Sequence, residues 1–211
     1  MRYKIIILCL LCVIAFPAIA QQYKAELPYR MIGGKMVVEM KLNGTLRSFI
    51  FDTGASRTTL KGEFCREFGL AVTDSLEVTD ANGRKSFYPL VRVDSIETPD
   101  NVFRFKSVAA MKMPEPSPLA CFPVDGLIGS DLFAQLILVI DGEKKTVTIS
   151  TAEKESTVSL RKMTRFVQAK MPIISVQAGS GHNIVCLFDT GFPRFLSLKE
   201  SDFEALSSGS A

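Results

Sequence analysis

Two segments of this chain end an apolar strand on the same three residues. Phe49–Leu60 reads FIFDTGASRTTL, and Cys186–Leu198 reads CLFDTGFPRFLSL. In each, an apolar run delivers an aspartate and a Thr-Gly pair turns the chain at once. A carboxylate at the end of a buried strand is costly unless hydrogen-bond donors or a partner group receive it. One Asp-Thr-Gly is an ordinary turn composition. Two copies, each closing an apolar hairpin, form a duplication with a carboxylate at the same point of each unit. The copies lie 137 residues apart, and at that offset Ile50 falls on Leu187, Phe51 on Phe188, Thr53 on Thr190 and Gly54 on Gly191. Gly44 falls on Gly181 and Arg57 on Arg194. Ahead of the turn the match slips. Ile174, Val176 and Ala178 alternate one residue out of step with Met36, Val38 and Met40. A hairpin loop differing by one residue accounts for this, because side-chain facing has a period of two.

The rest of the chain reads as strand and turn. Met36, Val38, Met40 and Leu42 alternate with Glu39 and Lys41, the pattern of a half-buried strand. Asn43-Gly44 is a strong hairpin signal, and RSFIF returns from it to Asp52. In GEFCREFG, Phe64 and Phe68 share a helical face and Gly69 is placed to cap the end. VTDANGRKSFYPLVRVDSI predicts a hairpin with its tip at Asn82-Gly83, and FRFKSVAA predicts another strand. MKMPEPSPLACFP reads as a Pro-rich surface loop. DGLIGSDLFAQ reads as a short buried strand, then a small helix with Ser130 as N-cap. LILVIDGEKKTVTI closes with a hairpin turning at Asp141-Gly142. The fold class is therefore all-β, mainly strand with short helices, and residues 30–150 form a barrel or sandwich.

The chain has 211 residues with 47% hydrophobic, enough for a packed core in one or two domains. Residues 1–20 stand apart. Arg2 and Lys4 precede an apolar run from Ile5 to Phe16, and Ala18-Ile19-Ala20 is a small-x-small site. That is the layout of a cleaved secretory signal. A membrane anchor is the alternative, but the run is short for a span and Pro17 interrupts it. The chain is thus expected in the periplasm or secreted, with no stable membrane span after cleavage. Losing residues 1–20 lowers the formal charge from +3 by the two units of Arg2 and Lys4, which leaves no basic surface for nucleic acid. Cys65, Cys121 and Cys186 remain, an odd number without metal-ligand spacing. They are open to one disulfide or to three buried thiols. His182 is the only histidine and sits beside Gly181 at an expected hairpin tip. A Ser-His-Asp triad or a zinc site has too little to build on. MIGGK and GSGH lack the spacing of a phosphate loop. No cofactor and no metal is implied.

Asp52-Thr53-Gly54-Ala55-Ser56, followed later by Gly126-Leu127-Ile128-Gly129-Ser130-Asp131-Leu132-Phe133, resembles the retropepsin-like and pepsin-like aspartic peptidases. The resemblance covers roughly residues 30–150 as one closed β-barrel lobe with a ψ-shaped active-site loop. Residues 160–211 correspond to an incomplete second lobe. It implies Asp52 and Asp189 as a catalytic pair sharing one proton around a water. It implies that Gly54 and Gly191 let backbone amides approach the carboxylates, and that Thr53 and Thr190 brace the two loops. Ser56 would donate to the outer oxygen of Asp52. The hairpin tip Asp80, Ala81, Asn82 and Gly83 resembles a flap over substrate, with an ordinary surface hairpin as the other reading.

Two departures follow from the sequence. Pro193 stands where the first repeat has Ser56, so the second carboxylate lacks a hydroxyl. The second unit has only 22 residues after Asp189, too few for its own flap and apolar-Gly strand. It is expected to be a fragment of a longer two-lobed protein or a vestigial unit. The implied activity is an aspartic endopeptidase acting on extended peptides. Its pair is either Asp52 with Asp189, or Asp52 with Asp52 in a homodimer through lobe one. The competing readings are an inactive peptide-binding module of the same fold and a structural envelope β-domain.

Overall fold

The computed structural model describes residues 23–79, 83–151, 166–168, 172–177, 183–194 and 196–208. The expected signal segment lies outside these, as do Asp80, Ala81, Asn82, Gly181 and His182. Ten strands make the main sheet. They are β1 (Lys24–Ile32), β2 (Lys35–Leu42), β3 (Thr45–Phe51), β4 (Thr59–Leu60), β5 (Val72–Thr79), β6 (Lys85–Glu97), β7 (Arg104–Lys112), β8 (Gly126–Ile128), β9 (Ile137–Asp141) and β10 (Thr146–Ser150). Their order is β5-β6-β7-β4-β8-β3-β2-β1-β10-β9, and β6 also pairs with β2. Strand β6 therefore bonds to both β7 and β2, and the sheet curls back on itself. The mainly-β class with short helices is what the chain adopts. Among the described residues no helix is long and apolar enough to cross a membrane.

Alternation along the strands sets the core. Met36, Val38, Met40 and Leu42 of β2 are buried with Phe49, Phe51, Leu60, Val91, Val93 and Ile128. Val37 and Ile50 point the other way, yet they too are buried, in a second cluster with Val124. Leu119 and Phe122 pack against that cluster, so the Pro-rich segment covers apolar surface. The expectation of a plain surface loop is corrected there. Ser117 is buried as well, its amide held by Glu63 Oε1 at 2.9 Å.

The Asn43-Gly44 turn has positive φ at both residues, 48° and 81°, which suits a tight hairpin. Helix α1 (Gly62–Glu67) ends before Gly69, whose φ is +60° and whose amide bonds to Arg66 O. Phe68 stacks on Phe64 at 4.4 Å between ring centroids, and the Arg47 guanidinium lies 4.6 Å from the Phe68 ring. Two expectations fail after β8. The small helix is only a 3-10 turn (Ser130–Leu132), and its N-cap is Gly129, not Ser130. The Ser130 hydroxyl bonds Ala55 O instead. Strand β1 has no counterpart in the sequence reading. It carries Pro28 mid-way and switches partners there, from β10 at Lys24–Pro28 to β2 at Tyr29–Ile32.

A separate three-stranded sheet follows, β11 (Phe166–Gln168), β12 (Pro172–Gln177) and β13 (Asn183–Leu187), in that order. Ile50 faces Val37 in the first hairpin, whereas its counterpart Leu187 faces Ile173 and not Ile174. The one-residue slip inferred from the sequence is present in the register. Helix α2 (Glu200–Ser208) ends the described chain. The three thiols are free, and only Cys65 is buried, so the reading of three buried thiols is corrected at exposed Cys121 and half-buried Cys186.

Gly126 sits where a methyl group would overlap the Thr59 carbonyl oxygen, while Gly142 has open space around it. Gly126→Ala should cost about 1–3 kcal/mol in urea denaturation, and Gly142→Ala should stay within about 0.5 kcal/mol.

Candidate functional site

Strand β3 delivers Asp52, and β4 carries the chain away from it. Strand β8 lies between them, parallel to β3 (Phe49↔Gly126, Phe51↔Ile128) and antiparallel to β4 (Thr59↔Leu127). The loop from Asp52 to Thr58 is therefore threaded around a strand from much later in the sequence. Asp52 N donates to Ile128 O at 3.0 Å, and Ser130 N and Oγ donate to Ala55 O at 2.9 and 3.0 Å. Asp131 Oδ1 accepts from Thr58 N and Thr58 Oγ1, both at 2.8 Å, and Gly129 N donates to Thr58 Oγ1 at 3.2 Å. Burial pushes the Asp131 carboxyl above its ordinary value, with the Thr58 bonds opposing. The sequence reading did not assign a role to Thr58 or Asp131. Their signal was the polar Asp directly after the GLIG strand.

Within the loop, Gly54 N and Ala55 N donate to Asp52 Oδ1 at 2.9 and 3.0 Å. Gly191 N donates to Asp189 Oδ1 at 2.8 Å in the second loop. The two loops then bond to each other. Thr53 N donates to Thr190 Oγ1 at 3.0 Å, and Thr190 N donates to Thr53 Oγ1 at 3.1 Å. The Thr53 hydroxyl donates to Phe188 O at 2.6 Å, and the Thr190 hydroxyl donates to Phe51 O at 2.8 Å. Each loop makes the same pair of bonds to the other, at the 137-residue spacing of the repeat.

That exchange brings the carboxyls together. A methyl group on Gly54 would overlap the Asp189 carboxyl, and one on Gly191 would overlap the Asp52 carboxyl. Asp52 is pushed up from 3.8 to about 6. Burial is the largest cause, followed by the charge of Asp189 and a hydrogen bond with it, while the Ala55 and Gly54 amides pull the other way.

Of the residues singled out in the sequence, Asp52, Thr53, Gly54, Asp189, Thr190 and Gly191 converge here. Ser56 is exposed, and the described hydrogen bonds to the Asp52 carboxylate come from amides and Asp189, with none from its hydroxyl. Gly83 lies at the β5–β6 hairpin tip with φ +78°; Asp80, Ala81 and Asn82 of that tip are outside the described residues. Among the described residues no cluster of His, Cys, Asp and Glu could hold a metal ion.

The sequence over residues 38–132 matches the family model described as aspartyl protease. Over those residues the chain is similar to that family. The match takes in the first Asp-Thr-Gly loop and β8, and the second loop lies beyond it. No curated protein matches the chain. Similar solved structures include a retropepsin-like aspartic protease from Rickettsia conorii, 20% identical with a TM-score of 0.44, over 62% of this chain and 94% of that one. The structure titled edgp is 11% identical with a TM-score of 0.45, over 79% of this chain and 56% of that one. Basic 7S globulin from soybean is 10% identical with a TM-score of 0.48, over 82% of this chain and 64% of that one.

The raised value of Asp52 couples folding stability to pH. The folded chain holds this proton to a higher pH than the unfolded chain does. The contribution is therefore complete below about pH 4 and is lost as pH rises through about 6, a change on the order of 2–3 kcal/mol. Asp52→Asn removes the ionisation. Its stability relative to wild type should rise between about pH 4 and pH 7 in urea denaturation. A constant difference across that range would refute the shift.

Proposed function

We propose that this chain is an exported aspartic endopeptidase that hydrolyses extended peptides, with Asp52 and Asp189 as its water-activating pair. The observation that carries the reading is the meeting of two carboxyls, each at the end of an Asp-Thr-Gly loop locked to the other. Two carboxyls so close do not both ionise readily, so one proton serves the pair, and its titration belongs to both groups. The ionised member takes a proton from a water as that water adds to the peptide carbonyl. The protonated member hydrogen-bonds the carbonyl oxygen and stabilises the developing charge. Proton delivery to the amide nitrogen then breaks the C–N bond. No side chain forms a covalent intermediate.

An extended peptide suits a site built from strands, because it can offer its backbone to a strand edge. The β5–β6 hairpin, with Gly83 at its tip, is the segment proposed to close over it. The contact between Asp52 and Asp189 favours a pair within one chain over Asp52 with Asp52 in a homodimer. Export rests on the Arg2, Lys4 and Ile5–Phe16 pattern of the sequence.

A second reading is a peptide-binding module without turnover. The small second sheet favours it, with Val185 and Leu187 exposed on it and Phe188 exposed just after it. Cleavage of a mixed peptide library from about pH 3 to about pH 7 separates the two. Under the peptidase reading wild type cleaves, and Asp52→Asn and Asp189→Asn each lose at least about a thousandfold in kcat/KM. Loss in Asp52→Asn alone points to the homodimer. Peptide binding without cleavage at any pH points to the module.

A further inference from the structure

The two Asp-Thr-Gly loops are alike in their mutual bonds and unlike in what holds them from outside. The first is wrapped around β8, which supplies Ile128 O, Ser130 N and Ser130 Oγ. Among the described residues, no strand of the second unit takes the place of β8. What reaches the second loop instead comes from the first lobe. The ammonium of Lys35, at the start of β2, donates to Gly191 O and is partly buried there. The glycine turn before it lies alongside. A Cβ on Gly34 would sit 4.0 Å from Pro193 Cβ, and one on Gly33 would meet the Phe122 ring at 2.9 Å. Gly33 and Gly34 have φ of +56° and +78°, so the turn has the backbone freedom to lie this close.

We propose that Lys35 is a positioning residue for the second Asp-Thr-Gly loop, anchoring it from the first lobe in place of a threaded strand. Lysine suits the task. Its flexible stem spans the gap between the turn and the loop, and its charge strengthens a hydrogen bond to a carbonyl. Gly191 is also the residue whose amide holds Asp189 Oδ1 and whose missing side chain admits the Asp52 carboxyl. Fixing Gly191 O therefore fixes both the orientation of Asp189 and the clearance for Asp52. Pro193 complements this by stiffening the chain two residues on, where the first loop has Ser56. The loop anchor stands on geometry alone; its consequence for catalysis rests on the peptidase reading above.

The test replaces Lys35 with Met, which keeps the stem and removes the donor, and with Arg, which keeps a charged donor. Amide hydrogen exchange at Thr190 and Gly191 is the first readout. It should speed by about tenfold or more in Lys35→Met, with Val38 and Phe49 unchanged, and return toward wild type in Lys35→Arg. Peptide cleavage is the second. Lys35→Met should lower kcat by about tenfold with KM within about twofold, because a misplaced carboxyl affects the transition state more than substrate binding. Unchanged exchange at Thr190 and Gly191 in Lys35→Met would overturn the anchor. Altered exchange with no cleavage by wild type would uphold the anchor and remove the peptidase reading. Altered exchange with unchanged kcat would overturn the catalytic consequence.

Discussion

The site depends on the reciprocal bonding of Thr53 and Thr190. Each hydroxyl accepts from the other threonine's amide and donates to the carbonyl just before the other aspartate. A hydroxyl can do both at once, since it offers one proton and two lone pairs. Valine has the same shape and can do neither. Thr53 is buried at 5% exposure, so its bonds are made where water competes poorly. Four bonds in a ring leave the loops little freedom to slide. The carboxyls are held together although their charges oppose it, and burial together with the Asp189 charge raises the Asp52 value.

Glycine completes the constraint from the other side. Gly54 and Gly191 each leave room for the opposite loop's carboxyl, and any side chain would fill that room. Thr and Gly at these positions thus act as one device: the threonines pull the loops together and the glycines let them arrive. Behind the first loop, Gly129 and Gly126 repeat the logic against backbone. A Cβ at either would strike the Arg57 or Thr59 main chain. Small residues recur wherever β8 is threaded, because two main chains approach closely there.

Much of this was legible in the sequence because strand period and turn chemistry are local. Alternation marked β2, Asn43-Gly44 marked its turn, and the repeat at 137 residues marked six of the converging residues. The slipped register of the second hairpin was legible too, since a one-residue change in a strand pattern is discrete. What escaped depends on distant partners. Strand β1 does alternate, Ala25, Leu27 and Tyr29 against Lys24, Glu26 and Arg30, but Pro28 in its middle reads against a strand, and its two halves take different neighbours. Val37 shares its strand face with Glu39 and Lys41, yet it is buried beneath Leu119, Phe122 and Val124. Asp131 and Thr58 are 73 residues apart and pair only because β8 lies between β3 and β4. Lys35 follows two glycines in a turn, where a solvated lysine and an anchoring one are written alike.

The missing hydroxyl at Pro193 has a smaller consequence than the sequence suggested. In the first loop, where Ser56 is present, the carboxylate is held by two amides and the serine stays exposed. The second loop keeps the nearer of these donors, Gly191 N, and keeps the matching turn bond. Phe192 N reaches Asp189 O at 3.3 Å, as Ala55 N reaches Asp52 O at 3.3 Å. The described difference between the two carboxylates is thus one amide donor, that of Ala55, and not the hydroxyl. Hydrogen bonds from amides favour the charged form, so the Ala55 amide works against the upward push that burial and the Asp189 charge give Asp52.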